Sequence, residues 1–308
     1  MTLRIASLLP SATEIVAALG AADQLVARSH ECDFPAGIER LPVLTEAKID
    51  ASGPSADIHK RMESAVADAL SVYRVHGDEL RRLAPDVIVT QAQCEVCAVS
   101  EDDVRKVLAS WEGGGASLVS LTAENFAGVY DDIQRVADAL GRPEAGTTAV
   151  AAMKERVERI ALAASDADWK PRVLLIEWMA PLMAGGNWMP ELVALAGAEN
   201  LLSVAGKHSP WIEWDDVRAA DPDAIVIAPC GFDIDRTMGD LTALTERPGW
   251  SDLRALGEGR VAVADGNAYF NRPGPRLVDT LEILAEFLHP ELFDFGHEGQ
   301  AFRRLFPA

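Results

Sequence analysis

Apolar and charged side chains between residues 143 and 166 alternate with the three- and four-residue steps of an α-helix. The apolar face of this predicted helix carries Val150, Met153, Val157, Ile160, Ala161 and Ala164. Pro143 marks its start, and Pro171 follows its end. At ~1.5 Å per residue the helix is roughly 35 Å long, which is enough to connect two separate lobes. An ordinary helix packed on a single α/β domain is the alternative that this spacing leaves open.

Short apolar runs alternate with helical patterns on both sides of this helix, which is typical of parallel βαβ units. The predicted strands lie within 4–9, 25–28, 86–90, 117–121, 172–178, 221–227 and 261–264. Residues 221–227 repeat the pattern of residues 84–89, which indicates two equivalent lobes. We predict an N-terminal α/β lobe over 1–122, a linker region over 123–170 that contains helix 143–166, and a C-terminal α/β lobe over 171–308.

The turn after the first strand has the composition of a helix start. Ser11 is followed three residues later by Glu14, which is the spacing of a capping box. A helix that begins there leaves backbone N–H groups over the carboxyl end of the strand, where they can face a ligand. Helix capping alone explains the pattern equally well.

The size and charge of the chain narrow the classes of function. Its 308 residues exceed what one core comfortably holds, so two domains are expected. The formal charge of -20 comes from 48 acidic and 28 basic residues, which argues against nucleic acid or an anionic membrane as a partner. No apolar run approaches the ~20 residues of a membrane span, and no secretion signal is evident. As written, the chain is expected to be cytoplasmic; a periplasmic location requires a signal peptide that has been removed.

Candidate binding residues collect where the predicted strands end. In open α/β sheets, ligands bind outside the carboxyl ends of the strands. Aromatic side chains there give a bulky planar ligand a stiff contact surface, and an arginine can pair with an amide, carboxylate or phosphate. Tryptophans are also common in cores, but those of this chain lie in loops rich in Gly and Pro. The predicted ligand-binding residues are Trp178, Trp188, Trp211, Trp214, Tyr269 and Arg272.

All four cysteines also lie at predicted strand exits. Cys94 and Cys97 form a Cys-x-x-Cys pair, which gives two thiolates from one loop, and thiolates ligate zinc and iron–sulfur clusters. Cys32, Cys230 and His30 complete the candidate metal-binding set. Two alternatives stay open: the cysteines pack as small buried residues, or Cys94 and Cys97 form a redox disulfide.

Several short motifs together resemble the vitamin B12-binding family, a helical-backbone (class III) group of ABC-transporter substrate-binding proteins. The similarity covers essentially the whole chain. The motifs are Ser7-Leu8-Leu9-Pro10-Ser11-Ala12-Thr13-Glu14, Asp33-Phe34-Pro35, residues 83–89, residues 221–227 and Arg272-Pro273-Gly274-Pro275-Arg276. The resemblance implies two Rossmann-like lobes with parallel sheets, one long linker helix, and a corrinoid or ferric chelate in a cleft between the lobes.

The same resemblance implies roles for particular residues. Arg272 matches a family arginine that lies beside the corrin side chains, and Trp211 is in the region of a large aromatic residue of the second lobe. The family also places acidic residues where they meet arginines of a membrane permease. Asp78 or Glu79, together with Asp215, stand at the corresponding positions. Stabilisation of helix N-termini by these carboxylates is the alternative.

The chain departs from the family in its first lobe, where Glu31 and Gln91 replace the expected aromatic side chains. Our leading hypothesis is a non-catalytic binding protein for cobalamin, another corrinoid or a related metal chelate, with an ABC permease as its partner. The alternative is a cytosolic protein whose cysteines ligate zinc or an iron–sulfur cluster, with or without enzymatic activity. No Ser-His-Asp order, P-loop or G-x-G-x-x-G motif supports a hydrolase, kinase or dehydrogenase, so we assign no catalytic residue.

Overall fold

The computed structural model describes residues 2–67, 73–91, 104–105 and 115–306. The chain divides into two compact units. Unit 1 comprises Met1–Gly53, Asp57–Ala123 and Ala127–Ala152, and unit 2 comprises Pro54–Ala56, Glu124–Phe126 and Met153–Ala308.

Unit 1 contains a parallel sheet and a separate two-stranded antiparallel sheet. Its described strands are β1 (Ile5–Ser7), β2 (Leu25–Ala27), β3 (Thr45–Ala47), β4 (Tyr73–Val75), β5 (Val87–Gln91) and β6 (Ser117–Leu121). The parallel sheet has the order β2-β1-β5-β6, and β3 pairs with β4. Strands β1 and β5 are buried along their whole length, as expected for a parallel sheet covered on both faces.

The next group of described helices begins in unit 1 and continues across the boundary between the units. They are α1 (Pro10–Ala18), α2 (Ser55–Ala67), α3 (Gly77–Leu83), α4 (Phe126–Ala139) and α5 (Pro143–Ser165). Helix α1 begins at Pro10, with Leu9 as its N-cap and no side-chain cap. The predicted capping box at Ser11 is therefore wrong, because the fixed φ of proline suits the first helical position and moves the start forward.

Helix α5 confirms the predicted long helix. Its buried face carries the periodic apolar residues Met153, Val157, Ile160 and Ala164. Beside this face, Arg156 forms ion pairs with Asp279 (2.7 Å) and Glu282 (2.8 Å). Within the described ranges, α5 and the other helices all fall short of the length and apolarity that a membrane span requires.

Unit 2 is built on a mixed sheet whose central strands are parallel. Its strands are β7 (Arg172–Trp178), β8 (Met183–Ala184), β9 (Glu199–Asn200), β10 (Ala224–Ile227), β11 (Val261–Ala264) and β12 (Phe302–Arg304). The order is β12-β11-β10-β7-β8, with β9 also paired to β7, and β8 and β12 run antiparallel to their neighbours. The helices are α6 (Met189–Leu195), α7 (Trp214–Ala220), α8 (Ile234–Gly239), α9 (Thr242–Thr245), α10 (Arg254–Gly257) and α11 (Leu277–Leu288). The predicted α/β fold with a parallel sheet in each half is confirmed.

In unit 1, an arginine and an aspartate clamp α3 to the sheet. Helix α3 ends at Leu83, and its C-cap Ala84 has a left-handed φ of 43°. The Arg4 side chain donates to the carbonyl of Leu83 (2.6 Å), and Asp86 Oδ2 accepts from the backbone N–H of Arg4 (2.8 Å). The end of α3 is thus tied to the amino ends of β1 and β5.

In unit 2, the same clamp recurs at α7. Helix α7 ends at Ala220, and its C-cap Asp221 also has a left-handed φ of 40°. Arg172 Nη1 donates to the carbonyl of Ala220 (2.8 Å), and Asp223 Oδ2 accepts from the backbone N–H of Arg172 (2.9 Å). The sequence repeat therefore corresponds to a repeated set of contacts.

Candidate functional site

In unit 1, the loop after β2 places Cys32 against helix α1. Cys32 follows β2 and is buried. The Thr13 hydroxyl lies 3.0 Å from Cys32 Sγ and 2.7 Å from Ser7 Oγ. Cys32 is therefore held by a hydroxyl of the first turns of α1, and a metal at this thiol would have to replace that contact.

His30 lies beside β3 and β4. Its Nδ1 is 2.7 Å from Thr45 Oγ1, and its ring centroid is 5.7 Å from that of Tyr73, whose hydroxyl donates to Glu31 (3.3 Å). Burial, and after it the charge of Arg28, lowers the pKa of His30 from its ordinary 6.5. The imidazole is therefore mainly neutral at neutral pH, which is the form that ligates metals.

The predicted metal centre depends on two residues, Cys94 and Cys97, that lie outside the described residues. Among the residues that are described, neither Cys32 nor Cys230 takes part in a disulfide. In the same residues, no group of three or more His, Cys, Asp and Glu side chains is arranged to hold a metal ion. The four-cysteine centre therefore stays a prediction.

In unit 2, the exits of β7 and β10 meet. The Trp178 ring packs edge-to-face on Phe232, with centroids 5.3 Å apart, and its Nε1 donates to the carbonyl of Ala180 (3.1 Å). The backbone N–H of Cys230 donates to the carbonyl of Glu177 (3.1 Å). The structure thus brings Trp178 and Cys230 to one edge of the unit 2 sheet, as their predicted strand ends imply.

Trp188 is buried within unit 2. Its Nε1 donates to the carbonyl of Phe270 (3.0 Å), which ties the loop after β8 to the turn after β11. Gly186, two residues earlier, lies so close to Ser209 that a Cβ would be 2.5 Å from its backbone nitrogen. The Ser209 hydroxyl in turn donates to Glu177 (2.8 Å). These contacts give Trp188 a packing role, and direct ligand contact by its ring stays a prediction.

The two remaining tryptophans of the predicted ligand-binding set lie at the start of α7 and just before it. Trp214 is the first residue of α7; its ring stacks on Trp250 with centroids 6.1 Å apart, and its Nε1 donates to the carbonyl of Pro248 (2.8 Å). Trp211, in the loop before α7, is 55% exposed and forms a β-bridge with Met183. Trp211 therefore offers a large accessible ring, whereas the face of Trp214 is already stacked.

Arg272 lies after β11 and is only 5% exposed. Its Nη2 donates to Asn267 Oδ1 (3.1 Å). Burial raises the pKa of Asp265, the residue directly after β11, and nearby Asp233 raises it further, whereas Arg272 opposes that shift. Asp265 and Asn267 were not among the predicted site residues, although their position at a strand exit was a signal that could have identified them.

Tyr269 lies in a π-helical turn, Gly266–Phe270, between Asp265 and Arg272. The Arg276 guanidinium is 5.2 Å from the centre of its ring, and the His297 ring meets it edge-on at 6.5 Å. Tyr269 and Arg272 thus share one short segment at the exit of β11.

The predicted docking acids occupy matching places in the two units. Asp78 and Asp215 are the second residues of α3 and α7, and each pairs with an arginine three residues later, Arg81 (2.6 Å) and Arg218 (3.3 Å). The Asp78 side chain is fully exposed, and that of Asp215 is 89% exposed. Glu79, the next residue of α3, forms a bidentate ion pair with Arg82, and these hydrogen bonds lower the pKa of Glu79.

Comparisons with known proteins agree with this architecture. The family described as Periplasmic binding protein matches residues 5–268. The uncharacterized ABC transporter substrate-binding lipoprotein YvrC of Bacillus subtilis is 25% identical over 298 residues, which cover 94% of this chain and 81% of that protein. A vitamin B12-binding protein of Vibrio campbellii is 23% identical over 288 residues, or 92% of this chain and 88% of that protein.

Solved structures show the same fold. A periplasmic heme binding protein from Pseudomonas aeruginosa has a TM-score of 0.69 at 24% identity and covers 95% of this chain and 94% of its own. The periplasmic vitamin B12 binding protein of Vibrio cholerae has a TM-score of 0.68 at 19% identity, with 94% and 97% covered. These likenesses establish the fold of the chain.

Proposed function

Because the chain belongs to the periplasmic binding protein family, we propose that it is a substrate-binding protein for cobalamin, another corrinoid or a related metal chelate. The observation that carries this proposal is the similarity to vitamin B12-binding proteins over 92% of the chain. The arginine and aromatic side chains at the strand exits of unit 2 support it, since a large planar chelate needs such contacts.

In this proposal Arg272 recognises amide or carboxylate groups at the edge of the chelate. Its guanidinium is buried and held by Asn267, so it is already oriented before the ligand binds. Such preorganisation reduces the entropy lost on binding. Trp178, Trp211 and Tyr269 supply contact surface, whereas the packed rings of Trp188 and Trp214 support the loops that carry it.

Calorimetric titration of the full chain with cyanocobalamin, hydroxocobalamin and haemin tests the proposal. For the chelate that binds, Arg272→Gln should weaken affinity by about tenfold or more, because a buried charge-assisted hydrogen bond is lost. Arg159→Gln, on the exposed face of α5, is the matched control and should bind like the wild type. If none of the three chelates binds at high micromolar concentration, the proposal is refuted.

We further propose that Asp78 with Glu79 in unit 1, and Asp215 in unit 2, are the acidic residues that bind an ABC permease. The arginine partners of Asp78 and Asp215 lie on the protein surface, and exposed ion pairs contribute only about 0–1 kcal/mol, so a cationic permease could replace them at little cost. Capping of α7 uses Asp216, whose Oδ2 accepts from the backbone N–H of Glu213 (3.2 Å). Capping therefore does not account for the acid at position 215.

The relatives are named as periplasmic proteins or as a lipoprotein, and we propose that this chain likewise acts outside the cytoplasmic membrane. Fractionation of the native cells tests this. Recovery with cytosolic markers would overturn it and favour the cysteine-based alternative.

That alternative is a zinc or iron–sulfur centre held by Cys32, Cys94, Cys97 and Cys230, with His30 as a further ligand. The neutral imidazole of His30 and the strand-exit positions of Cys32 and Cys230 favour it. Metal analysis and the visible spectrum of anaerobically purified protein test it. A colourless, metal-free sample would exclude it.

A further inference from the structure

A cavity of about 150 Å³ lies in unit 2 at the amino end of β10. Ala224, the first residue of β10, lines it, whereas the candidate site residues Trp178 and Cys230 lie near the opposite end of the sheet. Trp169, Phe287, Leu288 and Pro290 form its apolar walls. This volume is well above the ~10–15 Å³ that one water molecule requires on the same measure, so the cavity has room for a small organic molecule.

One polar wall of the cavity is Arg260. Its guanidinium lies 4.0 Å from the centre of the Trp169 ring, and its Nη1 donates to Glu258. These contacts hold the planar group in place. In the part of the chain that the structure describes, its Nε and Nη2 atoms have no hydrogen-bond partner.

The second arginine, Arg304, reaches the same cavity from the edge strand β12. Its guanidinium lies 5.0 Å from the centre of the Phe287 ring, its Nη2 donates to the Phe287 carbonyl (3.1 Å), and its Nε donates to Glu298 (3.3 Å). Its Nη1 has no partner among the described residues. Arg260 and Arg304 therefore place two planar guanidinium groups on one cavity, and the N–H donors of such groups match a carboxylate.

An acidic group completes the lining. Glu291 also lines the cavity, and its carboxylate is 3.7 Å from Nδ1 of His289, which is beyond hydrogen-bonding distance. His289 is fully buried, and neither of its ring nitrogens has a hydrogen-bond partner among the described residues. With Glu258 and Glu298 already paired to the arginines, a simple anion would add negative charge beside Glu291. A ligand that also carries a cation avoids this repulsion.

From these contacts we infer that the cavity binds a small zwitterion, an α-amino acid with a short apolar side chain. Its carboxylate accepts from Arg260 and Arg304, its ammonium group pairs with Glu291, and its side chain contacts Leu288 and Pro290. The inference uses none of the residues assigned to the chelate, so the result of its test is independent of the proposed function.

Titration of the full ¹⁵N-labelled chain with L-valine tests this inference, with the Trp169 indole N–H signal as the probe. The signal is assigned by its loss in Trp169→Phe. L-Valine should give a saturable shift. Its analogues 3-methylbutanoate, which lacks the amine, and 2-methylpropylamine, which lacks the carboxylate, should each bind about tenfold or more weakly.

Two variants separate the two charges of the ligand. Arg260→Gln should weaken both L-valine and 3-methylbutanoate about tenfold. Glu291→Gln should weaken L-valine but strengthen 3-methylbutanoate, because the repulsion between Glu291 and a simple anion is removed. The matched control is Arg303→Gln, because Arg303 neighbours Arg304 on β12 but pairs with Asp235 on the other side of the strand.

Circular dichroism checks that each variant is folded. If Arg260→Gln is unfolded, Arg260→Lys replaces it, since lysine keeps the charge but loses the planar fork, and L-valine should still bind more weakly than to the wild type. The absence of a saturable shift with L-valine would overturn the inference. Equal affinity of the wild type and both charge variants would overturn it as well.

Discussion

The carboxylate of Glu286 on α11 holds the segment that carries His297. Three backbone N–H groups donate to it: those of Phe295 (2.9 Å) and His297 (3.1 Å) to Oε2, and that of Glu298 (2.9 Å) to Oε1. Glu286 is 6% exposed, so water cannot easily replace bonds that are lost. Because the His297 ring packs on Tyr269, this carboxylate supports the candidate ligand site from behind.

We predict that Glu286→Gln lowers the free energy of unfolding of unit 2 by about 2–4 kcal/mol. The amide has one acceptor oxygen, so in either orientation its NH₂ group faces at least one backbone N–H. An unsatisfied buried donor costs about 1–3 kcal/mol, and the bonds that survive lose the contribution of the charge. Glu155→Gln, on the exposed face of α5, is the control and should change stability by no more than about 0.5 kcal/mol.

Urea unfolding followed by circular dichroism measures the change in stability. Hydrogen exchange of the amides of Phe295, His297 and Glu298 reports whether the loss is local to their carboxylate, and these three should exchange faster in the variant. Affinity for the bound chelate should also fall, because His297 no longer keeps Tyr269 in place. Equal urea midpoints for Glu286→Gln and Glu155→Gln would refute the reasoning.

Three further predictions follow from other contacts. Burial lowers the pKa of His30 from 6.5, so the unfolded chain binds this proton more tightly and the stability of the folded chain falls as the pH drops below 6.5. The urea midpoint of His30→Gln should therefore depend less on pH than that of the wild type between about pH 5 and 6.5. The double change Asp78→Asn and Asp215→Asn should reduce binding to permease-containing proteoliposomes in flotation assays, while calorimetry should show unchanged chelate affinity. Trp188→Phe removes the donor to Phe270 and part of a buried ring, so it should cost about 1–3 kcal/mol in thermal unfolding.

Features that depend on neighbouring residues were predictable from the sequence. The apolar spacing between 143 and 166 predicted α5, which spans Pro143–Ser165, and the run 172–178 coincides with β7. The repeat of 84–89 in 221–227 corresponds to the matched clamps at Asp86 and Asp223. The start of α1 was missed because Pro10, rather than the polar Ser11, occupies the first helical position.

The contacts of a buried side chain depend on residues far away in the sequence. The sequence therefore predicted these contacts less well than it predicted helices and strands. Trp188 lies in a loop rich in Gly and Pro, and its contact with a ligand stays a prediction; this local pattern gave no sign that its indole donates to a carbonyl 82 residues later. The role of Asn267 as the partner of Arg272 is likewise visible only when the turn after β11 is folded. Local patterns placed the strand exits correctly but could not distinguish rings that face solvent from rings that support the loops.

The repeated clamp links the proposed docking acids to the ligand-binding edge in each unit. The Arg4 side chain fixes the end of α3 at the amino ends of β1 and β5, and a helix that runs antiparallel to its strand directs its N-terminus toward the carboxyl edge. The five steps from Leu83 back to Asp78, at ~1.5 Å each, carry Asp78 roughly 8 Å in that direction. Arg172 and α7 place Asp215 in the same way in unit 2. Under the proposed function, a permease that binds these acids would therefore act near the sheet edge that carries the strand-exit loops, and docking would be coupled to ligand release within each unit.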